Sequence, residues 1–133
     1  MLRDPGVTQI LAIAVDPLTE NIFYIIPERG AALTNLFINS NDTVDVGHET
    51  FRTKVEMAEF IKTRVTSTLE TLLKSGKPYG PLKEEHIFIN QGEVLIENKL
   101  LVKPVYITSD QDIWQEHQQN IHNLYCILEH VMK

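Results

Sequence analysis

Thr8 to Pro27, TQILAIAVDPLTENIFYIIP, is the stretch on which the reading of this chain turns. Ile10 to Val15 and Ile22 to Ile26 are two runs without a charged residue, separated by Asp16-Pro17-Leu18-Thr19-Glu20-Asn21. Successive side chains of a strand point to opposite sides of a sheet, so a strand with one wet face alternates apolar and polar residues. Here Ile10, Ala12 and Ala14 oppose Leu11, Ile13 and Val15, while Ile22, Tyr24 and Ile26 oppose Phe23 and Ile25. Neither side wants water. Short all-apolar runs of this kind fit strands covered on both faces. The Asp, Pro, Thr and Asn between them fix φ or hydrogen-bond to their own backbone, which makes a turn. The stretch predicts a central β-hairpin with something packed on each face.

Two helices supply candidate covers. Thr53 with Glu56 three residues later has the spacing of a capping box, which opens a helix over Lys54 to Lys74. Val55, Ala58, Ile61, Val65, Leu69, Leu72 and Leu73 recur at spacings of three and four and predict one apolar stripe. Gly76 and Pro78 end it, since Gly takes the left-handed C′ conformation and Pro cannot continue a helix. The second helix is predicted over Asp110 to Met132, after a cap-like Ser109, with Asp110 and Asp112 where the helix dipole favours negative charge. Its main stripe is Trp114, Ile121, Leu124, Leu128 and Val131, widened by Ile113, Tyr125, Ile127 and Met132. Leu124 to Leu128 is apolar all round, so that turn is expected to be buried on two sides.

The remaining segments read as short strands and turns. Ala31 to Phe37 suits a short helix and Leu36 to Ile38 a strand; a helical turn followed by an extended piece accommodates both. Thr43 to Val46 alternates and predicts a strand with one wet face, ending at Gly47. Further strands are expected at His86 to Asn90, Val94 to Glu97 and Leu100 to Ile107, the last an edge or bulged strand because Pro104 has no N–H for a ladder. The whole is one α+β domain spanning 1–133, in the order strands, helix, strands, helix. Its sheet is expected to be antiparallel or mixed, with about five to seven strands.

Composition limits the function classes. With 43% apolar and 23% charged residues in 133, the chain is an ordinary globular domain able to bury a core without staples. Its single cysteine, Cys126, cannot form an internal disulfide, and Arg3, Asp4, Pro5 and Gly6 stand where a secretory signal would be apolar. No apolar run approaches the ~20 residues of a membrane helix. These features predict a cytoplasmic protein without a membrane partner. A net charge of −6 argues against general nucleic-acid binding, which draws on clustered Lys and Arg. The charge is uneven: residues 1–50 sum to −5, 51–83 to +4 and 84–133 to −5. That pattern suits intramolecular charge balance and leaves room for a self-complementary contact between copies.

Candidate chemistry is sparse. His122, Cys126 and His130 stand four apart on the second helix with Glu129 adjacent, a row of zinc-ligand types. Side chains spread along two helical turns converge on one ion only with help from another element, so no metal or cofactor is assigned. His117 lies near the apolar stripe, and His48 and His86 have no Ser or Cys nucleophile beside them in sequence. The glycines are scattered singly, without a phosphate-cradling loop.

Ile10 to Tyr24, with Asp16-Pro17-x-Thr19 at its turn, resembles the opening of ribonuclease-H-like nucleases and resolvases. The resemblance implies a metal-binding Asp16 at the end of the first strand. It covers about fifteen residues and departs from the family afterwards: Leu18 stands where Gly is common, no βαβ alternation follows, and Asp45 and Glu97 are the nearest further acids. Two-metal hydrolysis needs several carboxylates converging on the ions. The expected function is accordingly a small protein–protein interaction or regulatory module without a catalytic site, associating with a protein partner or with itself through the C-terminal helix. A metal-dependent hydrolase using Asp16 is the alternative.

Overall fold

The structure is a computed structural model and describes residues 6–27, 29–76, 79–98 and 110–132. Among these residues eight strands and two long helices give the α+β class, in three small antiparallel sheets rather than one sheet of five to seven strands. In chain order these are β1 (Ala12–Val15), β2 (Ile22–Ile25), β3 (Ala31–Ala32), β4 (Phe37–Ile38), β5 (Val44–Val46), β6 (Glu49–Phe51), α1 (Lys54–Lys74), β7 (Ile87–Asn90), β8 (Glu93–Ile96) and α2 (Asp110–Val131). Among the described residues β1 pairs with β2 alone, β7 lies between β3 and β8, and β5 lies between β4 and β6. A 3₁₀ turn at Leu33–Asn35 separates β3 from β4, so the expected helical turn and extended piece are both present. The strand expected at 100–107 and the cap at Ser109 lie outside the described residues.

α1 starts where its sequence predicts. The Glu56 N–H donates to Thr53 Oγ1 at 3.0 Å, while the Glu56 carboxylate turns to Arg52 Nε at 3.5 Å. Gly76, at φ +68°, closes the other end with its N–H on the Leu73 carbonyl. Its buried face is Met57, Ala58, Ile61, Val65, Thr68, Leu69 and Leu72. Val55 is exposed instead of joining that stripe, for a geometric reason: at 3.6 residues per turn it lies on nearly the opposite side from Met57.

This face packs on α2 and on β8, closing a core that includes Leu33, Val44, Val46, Ile87, Ile96 and Leu124. On α2 the buried positions are Asn120, Leu124, Leu128 and Val131. The turn 124–128 is therefore covered on one side, not two, because Tyr125 and Cys126 face outward, and Trp114 is likewise exposed.

The larger correction concerns which hairpin is central. β7 and β8 pair Ile87 with Ile96 and Ile89 with Val94 on the core face, and Phe88 with Leu95 on the other, and all six are buried. Their two-residue turn, Gln91-Gly92, has φ positive at both positions, the geometry that matches strand twist. Beside β8 runs the N-terminal segment, with Val7 bridged in parallel to Ile96. Gly6 is required there, since a Cβ would come within 2.0 Å of Thr68 Oγ1 on α1. The hairpin covered on both faces is β7–β8, whereas β1–β2 projects from the body.

Candidate functional site

β1 and β2 pair Ala12 with Ile25, Ile13 with Tyr24, Ala14 with Phe23 and Val15 with Ile22. Cross-strand partners share a face, so one face carries Ala12, Ala14, Phe23 and Ile25 and the other Ile13, Val15, Ile22 and Tyr24. Every residue of the two strands is exposed, and the large apolar ones from Leu11 to Ile25 range from 37% (Tyr24) to 92% (Leu18). Among the described residues, then, neither face of this hairpin has the cover its sequence predicts. Period-two reasoning detects that both faces are apolar, but not whether a cover belongs to the same molecule.

A free two-stranded hairpin is marginally stable in water, so its local bonds and its roots matter. At the tip the Leu18 N–H donates to Asp16 Oδ1 at 2.9 Å, and the Asp16 N–H donates to the Asn21 carbonyl at 2.9 Å. Hydrogen bonds from the Leu18 N–H and then Thr19 hold the Asp16 carboxyl below its ordinary value. The roots meet at Glu97. Thr8, entering the hairpin, donates from its hydroxyl to Glu97 Oε1 at 3.1 Å, and Arg29, leaving it, is ion-paired to Glu97 Oε2. The Asn98 N–H donates to Thr8 Oγ1 at 2.8 Å, and Asn98 Nδ2 to the Thr8 carbonyl at 3.1 Å. Tyr79 donates its phenol to the Glu97 carbonyl, with burial and the charge of Glu97 pushing its ionisation up. The Arg29 guanidinium also lies 4.5 Å over the Phe88 ring. One buried carboxylate at the end of β8 therefore ties down both legs of the projecting arm.

The other candidate residues are placed separately. Asp45, on β5, accepts from Thr50 Oγ1 at 2.6 Å and from Asn39 Nδ2 at 3.0 Å, which lowers its pKa. Asp16, Asp45 and Glu97 each serve a different local network, and among the described residues no three His, Cys, Asp or Glu side chains are grouped to hold a metal ion. Cys126 Sγ is 3.5 Å from His122 Nε2, while His130 turns away to Glu84 at 3.6 Å. His117 stacks tilted on Trp114 at 5.9 Å, and His48 is exposed. Sequence reading missed Asn120. It is buried, accepts from the Leu82 N–H at 2.9 Å, and donates to the Gly80 carbonyl at 2.7 Å, which fastens the 79–82 loop to α2. Its position four residues before Leu124, on the apolar stripe, was the available signal.

His86 gives a pH dependence. Burial lowers its pKa first of all, and the Lys83 N–H donates to its Nδ1 at 3.1 Å, so the ring is neutral and protonation would remove the acceptor. A folded value below the ordinary 6.5 means the unfolded chain binds the proton more readily. Stability is then full above about pH 6.5 and falls as the pH drops through the folded value. Urea titrations from neutral to mildly acid pH should show this slope in the native chain and a shallower one in His86→Gln; equal slopes would contradict it.

The chain matches no protein-family model, no curated protein and no solved structure. Among the described residues no helix is long and apolar enough to cross a membrane.

Proposed function

We propose that this chain is a small protein–protein interaction module of the regulatory kind, working in the cytoplasm, with the β1–β2 hairpin as its docking element. The single observation that carries this reading is an arm apolar on both faces, exposed on both, and braced at its roots by a part-buried ion pair. Eight large apolar residues from Leu11 to Ile25 are between 37% and 92% exposed, distributed over both faces and the tip of the arm. Single apolar residues scattered on a surface are ordinary, whereas a cluster of them left uncovered marks a contact site. The exposed thiol of Cys126 suits a reducing compartment, where it stays unpaired.

Ile13→Lys combined with Phe23→Lys tests this by charging both faces of the arm. The double variant is expected to fold with the circular dichroism of the native chain while losing the associations that chain makes in solution. An unfolded or molten variant would put the hairpin in the interior and end the docking reading.

A further inference from the structure

We propose that the foot of the projecting hairpin is a pH-sensitive latch, in which a proton on His86 loosens the hold of Glu97 on both legs of the arm. The proposal concerns control of the docking element and takes its meaning from the docking reading above, while its test is read on the arm itself.

The first ground is how Glu97 is held. Its N–H donates to the His86 carbonyl at 2.7 Å, and its own carbonyl accepts the Tyr79 phenol. The Tyr79 ring meets the His86 imidazole edge-on, with centroids 6.3 Å apart. These two bonds to the Glu97 backbone thus come from His86 and from the side chain resting on it. The Glu97 carboxylate in turn holds Thr8 in the entering leg and Arg29 in the leaving one. A shift of His86 is passed to both legs through a single residue.

The second ground is the imidazole itself. Its Nδ1 accepts the Lys83 N–H at 3.1 Å across the 3₁₀ turn Glu84–His86. A proton placed on Nδ1 sets a donor against a donor, and the turn cannot keep its present shape. The charged ring would also stand beside a carboxylate that already serves Arg29, and the two cations would compete for it. Burial disfavours that charge; Glu85 and then Glu97 favour it, Lys83 disfavours it, and the balance lies below the ordinary histidine value. Glu84, on the same turn, is engaged by His130 of α2 at 3.6 Å. An opening that frees His86 from this surrounding restores its proton affinity, so falling pH favours the open foot.

Hydrogen exchange of the full chain, followed residue by residue by NMR between about pH 7.5 and about pH 5.5, tests the latch. The Thr8, Leu11 and Asn98 amides donate to the Ile96 carbonyl, the Ile25 carbonyl and Thr8 Oγ1 at the foot of the arm. After correction for the intrinsic pH dependence of exchange, their protection should fall about threefold or more over this range, with the midpoint shown by the His86 ring resonances. The amides of β7 and β8 should keep theirs. His86→Gln has no titrating ring and should show no fall, whereas His130→Gln should fall as the native chain does. Four results overturn the proposal. Constant protection in the native chain would mean that His86 does not reach the arm, and a rise in acid would mean that the charged ring tightens Glu97. A fall retained in His86→Gln would place the titrating group elsewhere. Equal losses in the arm and in β7 and β8 would mean that His86 senses only unfolding of the whole chain. The docking reading fails on a different result, loss of the native fold in the Ile13→Lys, Phe23→Lys double variant.

Discussion

Glu97→Ala is expected to cost about 3 kcal/mol of folding free energy, the lower end of what removing one partner of a buried ion pair costs. The side chain is 10% exposed and accepts from Thr8 and Arg29 at once, so its loss leaves a hydroxyl and a guanidinium without their acceptor. The cost stays at the lower end because Arg29 is 31% exposed and can recover water. A second readout is local: hydrogen exchange at Thr8 and Asn98 should accelerate, since these hold the entering leg of the arm. Glu97→Gln keeps an oxygen and an amide in place and should cost less. A urea-derived change under ~1 kcal/mol for the alanine variant would show that the roots of the hairpin are held by backbone pairing alone.

Leu124→Ala is the second large effect, expected at about 2–5 kcal/mol. Leu124 is fully buried in the core shared by α1, α2 and the strands, and truncation leaves a cavity the helices can only partly close. Tyr125→Ala, one residue on and half exposed, should change the folding free energy by less than ~1 kcal/mol. The contrast tests one-sided burial of the 124–128 turn, and equal large costs for the two would restore the two-sided burial that its composition suggests.

How much was legible depends on which signal each element carries. α1 is present over the span its cap and stop residues mark, because those act locally: Thr53 accepts a bond from three residues away, and Gly76 needs no partner beyond its own helix. Asp16 likewise caps its own turn, so that hairpin too is present in the chain as read. The Glu97 anchor was not legible. Its carboxylate accepts from Thr8 and Arg29, 89 and 68 residues away, and Asn98 joins only by donating to Thr8, so no local pattern announces it. Asn120 lay between these cases, visible as a polar residue on an apolar stripe but with partners 38 and 40 residues distant.

The amino-acid order by itself determined that Thr8–Pro27 is a hairpin with two apolar faces, that two helices follow with strands between them, and that the chain is acidic with a basic middle. These follow from periodicity, capping and charge, all of which act within a few residues. Only the tertiary structure decided which of two largely apolar hairpins became the core. The hairpin of Ile87–Asn90 and Glu93–Ile96 receives α1 against β8, while Ala12–Val15 and Ile22–Ile25 stand out from the body with both faces exposed. An apolar face states that water should be excluded, and the identity of what excludes it is set by long-range packing that no stretch of sequence encodes alone.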